Sequence, residues 1–245
     1  MSDITDPTCP ASAGEAAQEQ AAPAAELSTP GASLENFSVA EPENALPRAT
    51  LETLPETIAA ACGRAGWTSL MPVQSLALPY LLEGRDIMVQ SRTGSGKTGC
   101  YLLPLVPRLD PELHAVQALI LVPTRELAVQ VEHEARTLFE GTGIRPVAVY
   151  GGVGYKKQRD ALRDGAQLVV GTPGRVLDHL LRRTLSLEDL DVLVFDEADR
   201  MLSIGFYPDM KEVQRYLPRR RIHTSMFSAT YPPHVLKLAG EFLTE

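Results

Sequence analysis

From Pro55 onward the chain alternates short apolar runs with longer amphipathic stretches. The runs at 86–90, 118–122, 146–150, 168–170, 192–195 and 223–227 have the length and side chains of strands. Between them, residues 126–139 set Leu127, Val131, Ala135 and Leu138 at three-to-four spacing, which predicts a helix with one apolar face. Further helices are predicted over 175–183 and 208–216, and another opening near Lys97. Strands alternating with helices read as parallel βαβ units, so the expected class is α/β, a mainly parallel sheet covered on both faces. Such sheets bind ligands beyond the carboxyl ends of their strands, and the motifs considered below are expected there. No internal repeat is present.

Segment 1–47 breaks the pattern. It is rich in Ala, Pro, Glu and Ser, and Phe37 is its only aromatic residue. Asp3, Asp6, Glu15, Glu19, Glu26, Glu35, Glu41 and Glu43 face no Lys or Arg there, so this segment carries the whole net charge of −8. It has too little apolar surface to offset the entropy of ordering and is expected to be disordered. Residues 48–245 then form one sizeable domain. An acidic balance argues against broad, nonspecific nucleic-acid binding and leaves room for a local basic surface. Cys9, Cys62 and Cys100 are unevenly spaced, and the histidines at 114, 133, 179, 223 and 234 lack metal-ligand spacing. That pattern points to a reducing compartment and no structural metal. With no basic-then-apolar leader and no apolar stretch near the ~18 residues of a membrane span, a cytoplasmic protein without a membrane partner is expected.

The chemistry concentrates in two segments. Ser91-Arg92-Thr93-Gly94-Ser95-Gly96-Lys97-Thr98 follows a predicted strand and opens a helix, the context of a phosphate-binding loop. Glycines let successive N–H groups converge on phosphates, and the helix N-terminus adds a favourable dipole. Lys97 would reach the β- and γ-phosphates, and the Thr98 hydroxyl would ligate Mg²⁺. Ser91 stands where the strict pattern has glycine. The second segment, Val194-Phe195-Asp196-Glu197-Ala198-Asp199, is an apolar strand ending in acids. Asp196 would hold Mg²⁺ through water, and Glu197 would polarise the attacking water as general base. Alone, such acids equally suit a helix cap; paired with the loop they read as a nucleoside-triphosphatase site.

Five further segments follow in order. Gly66-Trp67-Thr68-Ser69-Leu70-Met71-Pro72-Val73-Gln74 precedes the loop. Pro123-Thr124-Arg125-Glu126-Leu127-Ala128, Gly151-Gly152, Thr172-Pro173-Gly174-Arg175 and Ser228-Ala229-Thr230 follow it. In this order the chain resembles the DEAD-box ATP-dependent RNA helicases over residues 50–245, specifically their N-terminal RecA-like, ATP-binding domain. The resemblance implies a RecA-like three-layer sandwich of the P-loop NTPase class, with ATP and Mg²⁺ as cofactors. It implies that Gln74 reads adenine, a task suited to an amide that donates and accepts at once. Family members also place an aromatic residue seventeen positions before the Q-motif glycine, where this chain has Ala49.

Pro123, Thr124, Arg125, Gly151, Gly152, Thr172, Pro173, Gly174 and Arg175 each follow a predicted strand. Hydroxyls, glycine N–H groups and two arginines suit sugar–phosphate contacts, and none is arranged to read base edges. The resemblance likewise implies RNA, single-stranded or duplex, bound by its backbone without sequence preference, with 2′-OH contacts favouring it over DNA. It also implies that Ser228 and Thr230 couple the nucleotide site to domain closure through Asp199. A second RecA-like domain, the source of the arginine finger in this family, is expected to be absent from these residues, which leaves the fragment weakly active or inactive. An ATP-gated RNA clamp or remodelling module without processive unwinding is the alternative, and an unrelated P-loop enzyme or a DNA-directed relative stays open.

Overall fold

A computed structural model describes residues 45–244. Segment 1–47, apart from its last three residues, lies outside the described residues, and with it the expectation of disorder. Six strands form: β1 (Ile87–Gln90), β2 (Ala118–Leu121), β3 (Pro146–Val149), β4 (Leu168–Gly171), β5 (Val192–Asp196) and β6 (His223–Ser228). Each lies within two residues of its predicted run. All pair in parallel, in the order β1-β6-β5-β2-β4-β3.

Alternating side chains of each strand enter two different cores. Ala118 and Ile120 of β2 point to one side with Val170, Val194 and Phe227, whereas Leu119 and Leu121 point to the other with Val169, Leu193, Phe195 and Met226. The first core is closed by α1 (Glu56–Arg64), α2 (Pro72–Leu82), α3 (Lys97–Leu102) and α4 (Arg125–Leu138), through Ile58, Leu78, Leu102 and Val131. The second is closed by α5 (Tyr155–Arg163), α6 (Pro173–Leu181), α7 (Ala198–Ile204), α8 (Tyr207–Gln214) and α9 (Pro233–Phe242), through Leu162, Val176, Met201, Val213 and Leu238. The result is the expected RecA-like α/β sandwich of three layers. Strands β2, β4 and β5 are buried along their whole length. Each Leu, Val or Ile there contributes about 1.5–3 kcal/mol by leaving water.

Local chemistry sets the helix starts. The Thr124 hydroxyl accepts the Leu127 N–H at 3.2 Å and opens α4 one residue earlier than the apolar pattern predicts. Pro173 opens α6 at its first position, where proline sacrifices no helical hydrogen bond. Helices α1, α2, α5, α7 and α9 were not among the predicted ones.

The sheet order sorts the motifs. Along the carboxyl rim the loops after β1, β6 and β5 lie side by side, carrying the phosphate loop, Ser228–Thr230 and Asp196–Asp199. The loops after β2, β4 and β3 follow, carrying Pro123–Arg125, Thr172–Arg175 and Gly151-Gly152. One half of the rim thus collects the expected nucleotide residues, the other the expected RNA residues. The segment around Gln74 departs from the expectation of strand ends: it sits on the first turn of α2, tucked beneath the phosphate loop.

Candidate nucleotide cleft and nucleic-acid rim

The phosphate loop leaves β1 with the Ser91 N–H bonded to the Ser228 carbonyl at 3.0 Å. Gly96 ends the loop in the left-handed region (φ 90°), and a Cβ there would collide with Met71. Gly99, on the next turn, lies where a side chain would land on Trp67 and Gln74. Glycine at these two places lets α2 and α3 close on each other. The Ser91 hydroxyl meets that of Ser95, and Ser95 also donates to the Arg92 carbonyl at 2.6 Å, so serine at 91 is used inside the loop. Arg92, Thr93 and Gly94 form its exposed crest.

Beneath the crest lies a buried polar triad. The Asp196 carboxylate accepts the Glu197 N–H at 2.9 Å and the Tyr101 hydroxyl at 2.8 Å, and stands 3.6 Å from the Lys97 ammonium. Burial pushes the Asp196 carboxyl above its ordinary range, against the pull of Lys97 and Tyr101. Burial also pushes the Tyr101 hydroxyl well up, so it remains a donor. Lys97 is 6% exposed, yet its ammonium has no hydrogen-bond partner. A buried cation with three unmet donors is costly, by about 1–3 kcal/mol or more. An anion at the loop would relieve that cost, so the residues present fit a nucleotide phosphate. No sequence signal pointed to Tyr101, whose role appears only when α3 packs against β5.

Glu197 is one of two non-glycine residues with positive φ among the described residues (53°). This backbone turn costs on the order of 1 kcal/mol. The Glu197 carboxylate accepts from Arg200 at 3.2 Å and from the Thr93 hydroxyl at 3.5 Å. Asp199 binds the neighbouring loop: its N–H donates to the Ser228 hydroxyl at 3.1 Å, and its carboxylate accepts from the Thr230 N–H at 3.1 Å and hydroxyl at 2.7 Å. Burial raises the Asp199 carboxyl, but the Thr230, Ser228 and backbone hydrogen bonds outweigh it and hold the group below its ordinary value. Thr93, Lys97, Glu197, Asp199 and Thr230 line a cleft of about 440 Å³. Arg200 and Ser203, which carry no signal in the sequence, also line it, as does His234, one of the histidines without metal-ligand spacing.

Gln74 is nearly fully buried. Its carbonyl caps α2 by accepting the Met71 N–H at 2.9 Å, and its amide donates to the Gly96 carbonyl at 3.0 Å. Both ends of the amide thus hold protein partners, and one of them is the phosphate loop itself. Ala49 packs into the core beside α2, its N–H bonded to the Ser75 carbonyl, and presents no ring.

Across the rim the geometry changes. Arg125 is open to solvent and pairs with Glu126, and its guanidinium lies beside Gly152. Gly151 and Gly152 are exposed. Thr172 joins β3 through its N–H to the Val149 carbonyl at 3.0 Å, and Gly174 sits against Asp209 of α8. Arg175 differs from Arg125: its side chain is only 16% exposed and donates to the Gln158 side chain at 3.3 Å and the Val153 carbonyl at 3.4 Å.

This fold, with its phosphate loop and adjoining acids, defines a RecA-like domain of the P-loop class. The family model for DEAD/DEAH box helicases matches residues 71–238, and the chain belongs to that family. It is similar to the ATP-dependent RNA helicase DeaD of Escherichia coli K12, 49% identical over 182 residues that cover 74% of this chain and 29% of the relative. It is also similar to the ATP-dependent RNA helicase CshA of Listeria monocytogenes, 42% identical over 78% of this chain and 36% of that one. A crystal structure of a DEAD box protein from the hyperthermophile Methanococcus jannaschii superposes with a TM-score of 0.74 at 36% identity, covering 79% of this chain and 53% of that one. The chain therefore spans about a third of the length of these curated relatives.

Proposed function

We propose that this chain is the ATP-binding half of an ATP-dependent RNA helicase. The observation that carries the reading is the buried Lys97 ammonium under the phosphate loop, without a hydrogen bond and 3.6 Å from the Asp196 carboxylate. Backbone N–H groups of residues 92–98 and the Lys97 ammonium bind the triphosphate, and Gln74 links the adenine side of the pocket to the loop through Gly96. Mg²⁺ held by Thr98, and through water by Asp196, would neutralise charge on the β- and γ-phosphates. Glu197, turned out of the β5 line by its left-handed backbone, orients the attacking water and takes its proton. Arg200 must yield the Glu197 carboxylate for that role.

Thr124, Arg125, Gly151, Gly152, Thr172 and Arg175 present hydroxyl, N–H and guanidinium donors to a sugar–phosphate backbone, which supports binding without sequence preference. Asp199, Ser228 and Thr230 join the loops after β5 and β6 and transmit nucleotide state to a second RecA-like domain, whose arginine completes the transition-state charge. Such a finger is worth about 10³–10⁵ in rate, so the chain alone hydrolyses slowly.

The test uses Glu197→Gln and Lys97→Ala in the protein joined to its second domain. Glu197→Gln is expected to keep ATP affinity and lose about 10²–10⁴ in RNA-stimulated turnover, while Lys97→Ala loses both. Equal loss of ATP binding in the two variants would overturn Glu197 as the base.

A further inference from the structure

His179 lies on the inner face of α6 and is fully buried. Its ring stacks on Tyr155 of α5, with centroids 4.3 Å apart and planes 13° from parallel. Its Nε2 is 3.3 Å from the Gln158 side-chain oxygen, and its Nδ1 is 2.8 Å from the Thr184 hydroxyl. The same Gln158 oxygen takes the Arg175 guanidinium at 3.3 Å, while the Gln158 nitrogen reaches the Tyr150 carbonyl at 2.9 Å. The Tyr155 hydroxyl lies 2.6 Å from that of Thr184.

The chemistry of these groups fixes the Gln158 amide and the proton on His179 Nε2. A guanidinium only donates and a backbone carbonyl only accepts, so Gln158 must present its oxygen to Arg175 and its nitrogen to Tyr150. An oxygen already facing Arg175 requires the His179 Nε2 to carry the proton. In neutral His179 the Nδ1 accepts from the Thr184 hydroxyl, which is nearer to it at 2.8 Å than to the His179 carbonyl at 3.2 Å, and the Thr184 oxygen accepts from Tyr155. The neutral form is the one burial favours, pulling His179 down to about 4. The chain of donors runs from Tyr155 through Thr184 and His179 to the Gln158 oxygen, which also accepts from Arg175, while the Gln158 nitrogen donates to the Tyr150 carbonyl beside Gly151-Gly152. Tyr155 also lies under the guanidinium groups of Arg175 and Arg182, at 5.8 and 4.9 Å from the ring centre.

We infer that Gln158 and His179 are positioning residues that lock the Arg175 guanidinium and the 150–154 loop into one rigid RNA-facing unit. The inference rests on the reading of Arg175 as a backbone contact. Arg175 has little freedom of its own, and among the described residues Gln158 is the one side chain that bonds both it and the loop after β3. Losing the Gln158 oxygen frees the guanidinium to fold toward Asp178, now 3.9 Å away.

The experiment is a double-mutant cycle on the 245-residue chain, read by anisotropy of a labelled single-stranded oligouridine with an ATP analogue present. Gln158→Met is expected to weaken RNA binding about tenfold, and to add nothing further in an Arg175→Ala background. Trp67, the single tryptophan, packed at Gly99, reports nucleotide binding, which is expected to be unchanged. An equal loss in both backgrounds, or none in either, overturns the inference. If Gln158→Met does not fold, Thr184→Val at the far end of the chain is expected to cost about twofold in RNA affinity, again only when Arg175 is present. Long-range ¹H–¹⁵N correlation on the free protein gives a readout independent of RNA: His179 protonated at Nε2 supports the network, and protonation at Nδ1 overturns it. Absence of RNA binding by the unmutated chain would strike the functional reading, while the tautomer would still decide the network.

Discussion

The two halves of the rim are built on opposite plans. In the nucleotide half the motifs bind one another: Lys97 meets Asp196, Thr230 and Ser228 meet Asp199, and Gln74 holds Gly96. Lys97 and Asp196 are buried there, and the Lys97 ammonium has no hydrogen bond. In the other half the motifs do not bind one another: Arg125 pairs with Glu126 of its own segment, Arg175 binds Val153 and Gln158 outside the motifs, and Arg125 and the Gly151-Gly152 pair face solvent. A site that performs chemistry on a small charged group needs desolvated, preorganised charges. A surface that tracks a flexible polyanion needs only accessible donors at the right spacing.

That contrast can be broken from either side. The largest effect is expected from Lys97→Ala, which removes the buried cation: nucleotide affinity should drop roughly a hundredfold by Trp67 fluorescence, with RNA affinity kept. Arg125→Ala and Arg175→Ala should each weaken oligouridine binding about tenfold and lower its salt slope by about one, with nucleotide affinity kept. Loss of nucleotide binding in either arginine variant would show the halves to be one site.

A pH test addresses the nucleic-acid half alone. His179 is held to about 4 against 6.5 in the unfolded chain, chiefly by burial, then by Arg175. Between these values the unfolded state takes up a proton that the folded state refuses. Stability should therefore fall as pH drops from 6.5 toward 4, by about 1–2 kcal/mol after solvent screening. Urea melts at pH 7 and 4.5 should show this loss shrinking in His179→Gln. The smallest effect is expected from Thr230→Val, about 1 kcal/mol of stability, because it removes one exposed hydrogen bond to Asp199; in the two-domain protein it should reduce the dependence of ATP turnover on RNA.

The strands were legible because β2, β4 and β5 are buried on both faces and so read as unbroken apolar runs. Helix α2 was not, since Pro72–Leu82 is apolar almost all round and carries Pro79, leaving no face for a periodic signal. Helix α5 was missed for the reverse reason, having only Gln158 and Leu162 buried. The motifs themselves were legible as short local patterns. Tyr101 and the His179–Gln158 pair were not, because a tyrosine 95 positions from its aspartate, or a glutamine 21 from its histidine, leaves no local trace. The strand order was equally invisible, as six similar parallel strands carry no mark of their neighbours.

That order bears on how the molecule is made. Ile87 pairs with Ser225, and β6 is the only strand that β1 touches among the described residues. During synthesis from the N-terminus, β1 leaves the ribosome early and waits, unpaired, until nearly the whole domain has followed. Strands β2, β3 and β4 can assemble meanwhile, and β5 can join them. Such long-range pairing is slow and leaves an edge exposed. The phosphate loop, first of the rim loops to be translated, is therefore the last to be seated, and a nascent chain halted before residue 223 would carry a sheet with no place to hold it.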